Sequence, residues 1–435
     1  MNPVRTETRQ GEEASISQGE RPSRFRWTIC AMLFAATSIN YMDRQVIGLL
    51  KPTLQQSMGF TEINYGYIVA AFQVAYAFGL LVAGRLVDRL GIRAGYALFI
   101  AVWSLAGMGH ALARSALGFG LARFFLGLGE AGNFPAAVKT VADWFPQRER
   151  SLATGIFNSG SNVGAVVAPA LIPWITLHFG WRVAFLATGL VGLLWMAWWL
   201  KNYRPSSDLR LAASGRHEVD REGLVQAGSA IPWLKLLTHR QTWAFSIAKF
   251  LTDPIWWFYL FWLPSFFDSR FHLGLSQLGL PLIIVYNVSV IGSIGGGWLP
   301  RLFLSVPPDR AKARMSAMLI CAALAVPMFA AGSSHSKWAA VGLLSLAAAA
   351  HQGWSANLFT IPSDIFPRSV VGAVVGIGGM AGAVGGAIFS VGAGKILELT
   401  HSYGALFGIA GSAYLISIAI LHLLAPGLRK VEFIA

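Results

Sequence analysis

The chain has 435 residues, of which 55% are hydrophobic and only 12% charged, roughly half the charge that a soluble domain carries. That balance excludes an ordinary soluble protein and places most of the chain in hydrocarbon. The formal net charge of +14 is no nucleic-acid footprint, because Lys and Arg stand in short runs between apolar spans, as loops on an anionic leaflet do, and form no basic face beside a binding fold.

Residues 1–26 are polar, with Glu12, Glu13 and Glu20 among them. They lack the apolar core and small-residue cleavage site of a secretory signal and read as a disordered cytoplasmic tail, leaving the first span to direct insertion. From Trp27 onward, twelve apolar runs are each about long enough to cross a bilayer. They cover 27–50, 62–83, 94–113, 116–140, 151–175, 180–200, 241–267, 277–299, 314–332, 337–360, 370–394 and 402–425. The expected fold is therefore an all-α polytopic membrane protein, with twelve transmembrane helices in two six-helix bundles over 27–200 and 241–425. A cytoplasmic linker over 201–240 joins the bundles, and residues 426–435 form a cytoplasmic tail. Within the linker, Ile231 to Leu237 suits an interfacial helix. Cys30 and Cys321 lie in apolar segments and read as packing residues. Of 34 Lys and Arg residues, 24 fall on the side of the N-terminus and 6 on the other. By the positive-inside rule, both termini are cytoplasmic.

Charges inside the spans come next, because they are costly there and mark function. The first span holds Tyr41, Asp43, Arg44 and Gln45; the fourth holds Arg123 and Glu130 on one face. Two acids and two bases in one half are formally neutral. The plainer reading is a pair of helix-clamping ion pairs. The functional reading is that ionised Asp43 and Glu130 occupy the arginines, and that protonation frees Arg44 and Arg123 for an anion. In the fifth span, Asn158, Ser159 and Ser161 have room beside Gly155, Gly160 and Gly164. The seventh span carries Lys249 and Asp253, four apart and able to pair, then Pro254 and the aromatic run Trp256, Trp257, Tyr259 and Trp262. Those rings suit either a sugar site or an interfacial belt. Asn287, His351, Gln352, Ser355 and Asn357 are further polar candidates in the second half, each also explicable by interhelical hydrogen bonding. Asp143-Trp-Phe-Pro146 ends the fourth span and Asp364-Ile-Phe-Pro367 the tenth, an echo expected of related bundles.

Three patterns carry no chemistry. Gly127-Leu-Gly-Glu-Ala-Gly132 lies mid-span, without the strand that a dinucleotide turn needs. The glycines from Gly376 to Gly386 read as a close-packing surface. Asn287-Val-Ser289 sits inside a span, out of reach of glycosylation. No nucleophile–base pair and no metal-ligand spacing is present, so an enzyme is not expected.

The loop Gly84-Arg-Leu-Val-Asp88-Arg89-Leu-Gly91-Ile-Arg93 resembles the signature of the major facilitator superfamily, Gly-x-x-x-Asp-Arg-x-Gly-x-Arg/Lys, at every fixed position. The resemblance extends from Trp27 to Leu424; the second half keeps only a degraded copy of the loop around Gly295 to Arg301. It implies two bundles rocking about a central site, with Gly84, Asp88, Arg89, Gly91 and Arg93 as a conformational latch. Tyr41, Asp43, Arg44, Tyr76, Arg123 and Glu130 are similar to the pattern of the anion:cation symporter group within that superfamily. By that likeness Arg44 and Tyr76 touch substrate, Asp43 and Glu130 carry protons, and Arg123 partners Glu130. The run from Thr252 to Pro264 looks like that of hexuronate transporters. Tyr41, Ser161, Trp257, Tyr259 and Asn357 complete the expected substrate site. The expected activity is proton-coupled symport of a sugar-acid anion such as glucuronate or galacturonate, by a monomer in a bacterial inner membrane. Protons are the coupling ion, with no metal or other cofactor and no nucleic-acid partner. Another organic anion, an aldonate or aromatic carboxylate, is the alternative substrate, and a non-transporting sensor the alternative class.

Overall fold

In a computed structural model, residues 25–204, 233–303 and 310–431 are described. Residues 1–24 of the tail expected over 1–26, residues 205–232 of the linker, and residues 304–309 and 432–435 lie outside them, while Phe25 and Arg26 already belong to a helix. Among the described residues the secondary structure is helical throughout. The first half contains α1 (Phe25–Met58), α2 (Glu62–Gly109), α3 (Ala116–Glu130), α4 (Asn133–Trp144), α5 (Gln147–Phe179) and α6 (Trp181–Asn202). Of the linker, residues 201–204 and 233–240 are described, the latter with a single turn, α7 (Trp233–Leu236), where Leu236 is buried. The second half contains α8 (Arg240–Phe271), α9 (Gly279–Trp298), α10 (Arg310–Ala325), α11 (Lys337–Leu358), α12 (Ile361–Ile365), α13 (Arg368–Thr400) and α14 (Gly404–Leu424).

These helices carry the twelve spans. The second and third are both in α2, joined where Gly91 takes φ 76° and ψ 158°, a backbone region open mainly to glycine. The fourth is broken between α3 and α4, and the tenth is continued by α12 after a short break. Among the described residues, seven stretches are long and apolar enough to cross a membrane by length and composition alone, one of them holding spans two and three. Spans one, four, seven and ten are not among these. They are the ones that carry Asp43 and Arg44, Arg123 and Glu130, Lys249 and Asp253, and His351 and Asn357. Charge and polarity are thus concentrated on four helices, while residues such as Leu117, Leu121, Phe125, Leu194, Ile291, Ile294 and Leu423 present an apolar exterior suited to lipid.

The half-repeat read from sequence is present in the backbone. Phe145 and Phe366 both end their helices in extended conformation, at φ −111° and −107°, and Pro146 and Pro367 precede α5 and α13 at φ −61° and −59°. The chain leaving each half returns to this corner: the Tyr203 hydroxyl donates to Asp143 at 3.4 Å, and the Val431 N–H to the Ile365 carbonyl at 2.8 Å.

The halves meet through α1 with α8, α2 with α13, and α5 with α9. Opposite the linker, the contact is backbone on backbone. A Cβ at Gly48, Gly66 or Gly394 would lie 2.5, 2.7 or 2.6 Å from the carbonyl oxygens of Leu260, Ser390 and Glu62 respectively, all across the divide. Tyr65 donates to the Phe261 carbonyl at 2.9 Å, and Glu398 caps the start of α2 by accepting from the Ile63 N–H at 2.8 Å, where a helix N-terminus favours an anion. Toward the linker end the halves part: nothing lies within 4 Å of a Cβ built at Gly84, Gly155, Gly372 or Gly376. Among the described residues, the halves are sealed against each other at the far end and part at the linker end. The glycines of α13 serve the packing read for them, since Gly378, Gly382 and Gly385 each meet a side chain or carbonyl of α8.

A leucine at Gly66 cannot fit against Ser390, so Gly66→Leu should hold the far end open. A bias of about 1.4 kcal/mol already shifts the population about tenfold. A cysteine placed at Tyr65 should become reactive to an impermeant maleimide in that variant; equal labelling with and without the leucine would show that the seal does not depend on the glycine.

Candidate substrate and proton site

Arg44 lies in the middle of α1 and is 3% exposed. Its Nε and Nη2 both reach Oε2 of Glu130 at 2.7 Å, and Nη2 also donates to Asn40 Oδ1 at 3.3 Å. The guanidinium carbon lies 4.7 Å from the ring centroid of Tyr41, 5.2 Å from Phe72, 5.1 Å from Tyr76 and 5.0 Å from Trp257. Three of these rings come from the first half and Trp257 from the second, so the cation sits in a cage closed by both. Phe72 and Tyr76 are one turn apart on α2, and Trp257 meets both edge-on. Each such ring contributes about 0.5–2 kcal/mol as the site dries.

Arg123, fully buried, does not pair with Glu130 as expected. The two are seven residues apart on α3, about 10 Å of helix rise, too far for one side chain to fold back. Arg123 instead donates to the Arg44 carbonyl at 3.3 and 3.4 Å and lies over Phe72 and Phe261. Nor are there two ion pairs. Asp43 is 3% exposed, enters no ion pair among the described residues, and has the Thr188 hydroxyl as a polar neighbour. Around this core, Asn40 Nδ2, both ends of the Gln45 amide, Arg123 Nε and Glu130 Oε1 are buried without hydrogen-bond partners. Buried polar groups are normally satisfied, so such a concentration marks a place that water or a ligand completes.

The other expected residues divide. Tyr41, Tyr76 and Trp257 converge on Arg44. Tyr259 does not: two residues from Trp257, it points to the opposite side of α8, is fully buried in the second half, and donates to Met328 Sδ at 3.6 Å. Asn357 is also occupied, its amide donating to the Gly296 and Gly353 carbonyls at 2.7 and 2.9 Å. Ser161 is half-buried and donates to its own helix at Asn158. Gly160 and Gly164 seat α5 on the α1 backbone at Phe34 and Ser38, whereas the space beside Gly155 stays open and Asn158 and Ser159 are exposed. The seventh-span rings form no interfacial belt, since Trp257, Tyr259 and Trp262 are all buried in protein. His351 bonds the Tyr414 hydroxyl at 2.7 Å and stacks on Trp256. Asn40 and Phe72 were not expected. Asn40 was within reach of helical spacing, at i−4 from Arg44; nothing in the sequence marked Phe72 apart from other core aromatics.

The 84–93 loop is held within its own half. Lys139 pairs with Asp88 and donates to the Gly84 carbonyl at 2.7 Å, Arg93 donates to the Leu200 carbonyl, and Trp199 donates to the Arg93 carbonyl at 3.1 Å. Arg89 is exposed. In the second half, Arg314 pairs with Asp364 at 2.8 Å.

The Major Facilitator Superfamily family model matches residues 33–390. The chain is 29% identical over 390 residues to the hexuronate transporter of Escherichia coli strain K12, covering 88% of this chain and 90% of that one. It is 34% identical over 284 residues to the galacturonate transporter of Dickeya chrysanthemi, 64% of this chain and 82% of that one. The fold matches a crystal structure of a D-xylose-proton symporter with a TM-score of 0.75 at 15% identity, over 93% of this chain and 99% of that one.

Removing one partner of a buried ion pair costs about 3–5 kcal/mol, because the other charge is left unpaired. Arg44→Ala should therefore lower the thermal unfolding temperature of the purified protein, and adding Glu130→Gln should recover most of the loss. No recovery in the double variant would mean that the pair is not the interaction lost.

Proposed function

Because this chain belongs to the major facilitator superfamily, a family of integral membrane transporters, we propose that it is a proton-coupled symporter of a sugar-acid anion, with a hexuronate as substrate. One observation carries this reading: the buried Arg44 is shared between a carboxylate of its own half and a ring of the other. While Glu130 is ionised it holds Arg44, and an anion must compete with it. A proton on Glu130 removes that competitor and leaves a planar, bidentate cation for the substrate carboxylate, with the Tyr41, Tyr76 and Trp257 rings positioned to cover the sugar's C–H faces. Asp43, buried without a cation partner, is the second proton carrier. Proton and anion then each favour the other's binding by the same factor. Affinity for the anion rises as pH falls, since the protonated state is the binding-competent one.

The excess of basic residues at the linker end supports placing that end and both termini in the cytoplasm; the reading takes the chain to work as a monomer in a bacterial inner membrane. The open cleft then faces the cytoplasm, and the Arg44–Glu130 pair is that of a carrier that has released its cargo and been reset. The 84–93 loop, tied by Lys139 and Leu200 to its own half, acts as the latch that this state leaves disengaged from the other half. The names of the relatives support the substrate class.

The test is uptake of labelled glucuronate into proteoliposomes, with and without a pH gradient, run beside galactonate. Gradient-driven glucuronate uptake is expected in the native protein and its loss, by at least about tenfold, in Arg44→Ala. Glu130→Gln should still bind and exchange glucuronate but lose the dependence on the gradient. Full gradient dependence in both Asp43→Asn and Glu130→Gln would remove these acids from coupling; no uptake of glucuronate by folded protein would remove the substrate.

A further inference from the structure

Helix α8 carries a second ion pair that the Arg44 site does not use. Lys249 Nζ lies 2.7 Å from Asp253 Oδ2, with the two side chains 5% and 21% exposed. Residues 249, 253 and 257 follow one another at four-residue steps along one stripe of the helix, each step about 6 Å of rise. The stripe runs from Trp257, which covers Arg44, toward the linker end where the cleft opens. The Asp253 carboxylate packs over Gly382 of α13, in the space that a Cβ there would need. The other partner of the ammonium is the ring of Phe359, 3.9 Å away in the turn between α11 and α12, and that ring is itself 45% exposed. A cation–π contact is worth about 0.5–2 kcal/mol, and an ammonium has three donors. Lys249 therefore has one anchored partner and one that a carboxylate can displace. Deeper in the same half, His351 and Tyr414 are bonded to each other.

We infer that Lys249 is a second carboxylate-binding station, on which the anion rests between Arg44 and the linker-end opening, its carboxylate taking the place of the Phe359 ring while Asp253 remains bound. With one cation between two carboxylates the station is weak, which suits transit: it shortens the step out of the Arg44 cage without trapping the cargo. Asp253 keeps the lysine neutralised when no anion is present, as an intramembrane cation requires. This rests on the anion-transport reading above.

The experiment compares half-saturating glucuronate concentrations from the two sides, using inside-out and right-side-out membrane vesicles containing the full chain. Lys249→Gln should raise the value from the linker side at least threefold and leave the far-side value unchanged. Phe359→Ala, which uncovers the ammonium, should lower the linker-side value. The double variant Lys249→Gln/Asp253→Asn separates a binding station from a structural pair: the one-sided defect should persist. Full recovery in the double variant, or equal shifts from both sides, would overturn the inference. Native vesicles that do not carry glucuronate at all would overturn the transport reading itself, a distinct result.

Discussion

A guanidinium held at mid-membrane has no water to fall back on, so whatever surrounds Arg44 must supply its counter-charge at every stage of the protein's work. Here that need is met by one carboxylate, one amide oxygen and four aromatic rings. Because Arg44 never deprotonates, any change in its pairing has to come from the partners. Glu130 is the partner that can change charge. Spans one and four depart from simple apolar composition because they carry this pair, while the polar groups of spans seven and ten are paired within their own half.

The cage also couples chemistry to shape. Trp257 belongs to the second half and reaches Arg44 of the first, directly above the far-end seal where Tyr65 meets Phe261 and Gly48 meets Leu260. Moving the halves apart at that end withdraws a ring from the cation; filling the cage with an anion changes what holds the ring there. Backbone-on-backbone contacts at Gly48, Gly66 and Gly394, with the Tyr65 and Glu398 side chains beside them, bring the helices of the two halves into direct contact at that end.

Much of this was legible in the sequence, for identifiable reasons. Asp43, Arg44, Arg123 and Glu130 stood out because a charged residue inside a span has few bland explanations. The paired Asp-x-Phe-Pro corners could be read because a proline after an extended residue fixes the backbone in the same way twice. What could not be read was who meets whom. Helical spacing put Arg123 and Glu130 on one face, yet two turns of rise keep them apart, and Glu130 finds Arg44 on another helix. The aromatic run of α8 looked uniform, but a two-residue step reverses direction, so Trp257 enters the cage and Tyr259 enters the core. Of the α5 glycines expected to leave space, Gly155 does, but Gly160 and Gly164 are filled by the α1 backbone. Lys139 as the partner of Asp88 is likewise a fact of tertiary contact, whereas Asn40 supports Arg44 from one turn away on the same helix.

The central claim is that neutralising a carboxylate frees Arg44 for the anion, and it makes binding itself a proton-consuming event. Glucuronate added to weakly buffered, purified protein near neutral pH should raise the pH reported by an indicator dye, in proportion to the sites filled. The rise should shrink in Glu130→Gln and in Asp43→Asn and vanish when both are present. Saturable glucuronate binding to the native protein with no proton uptake would contradict the account at its root.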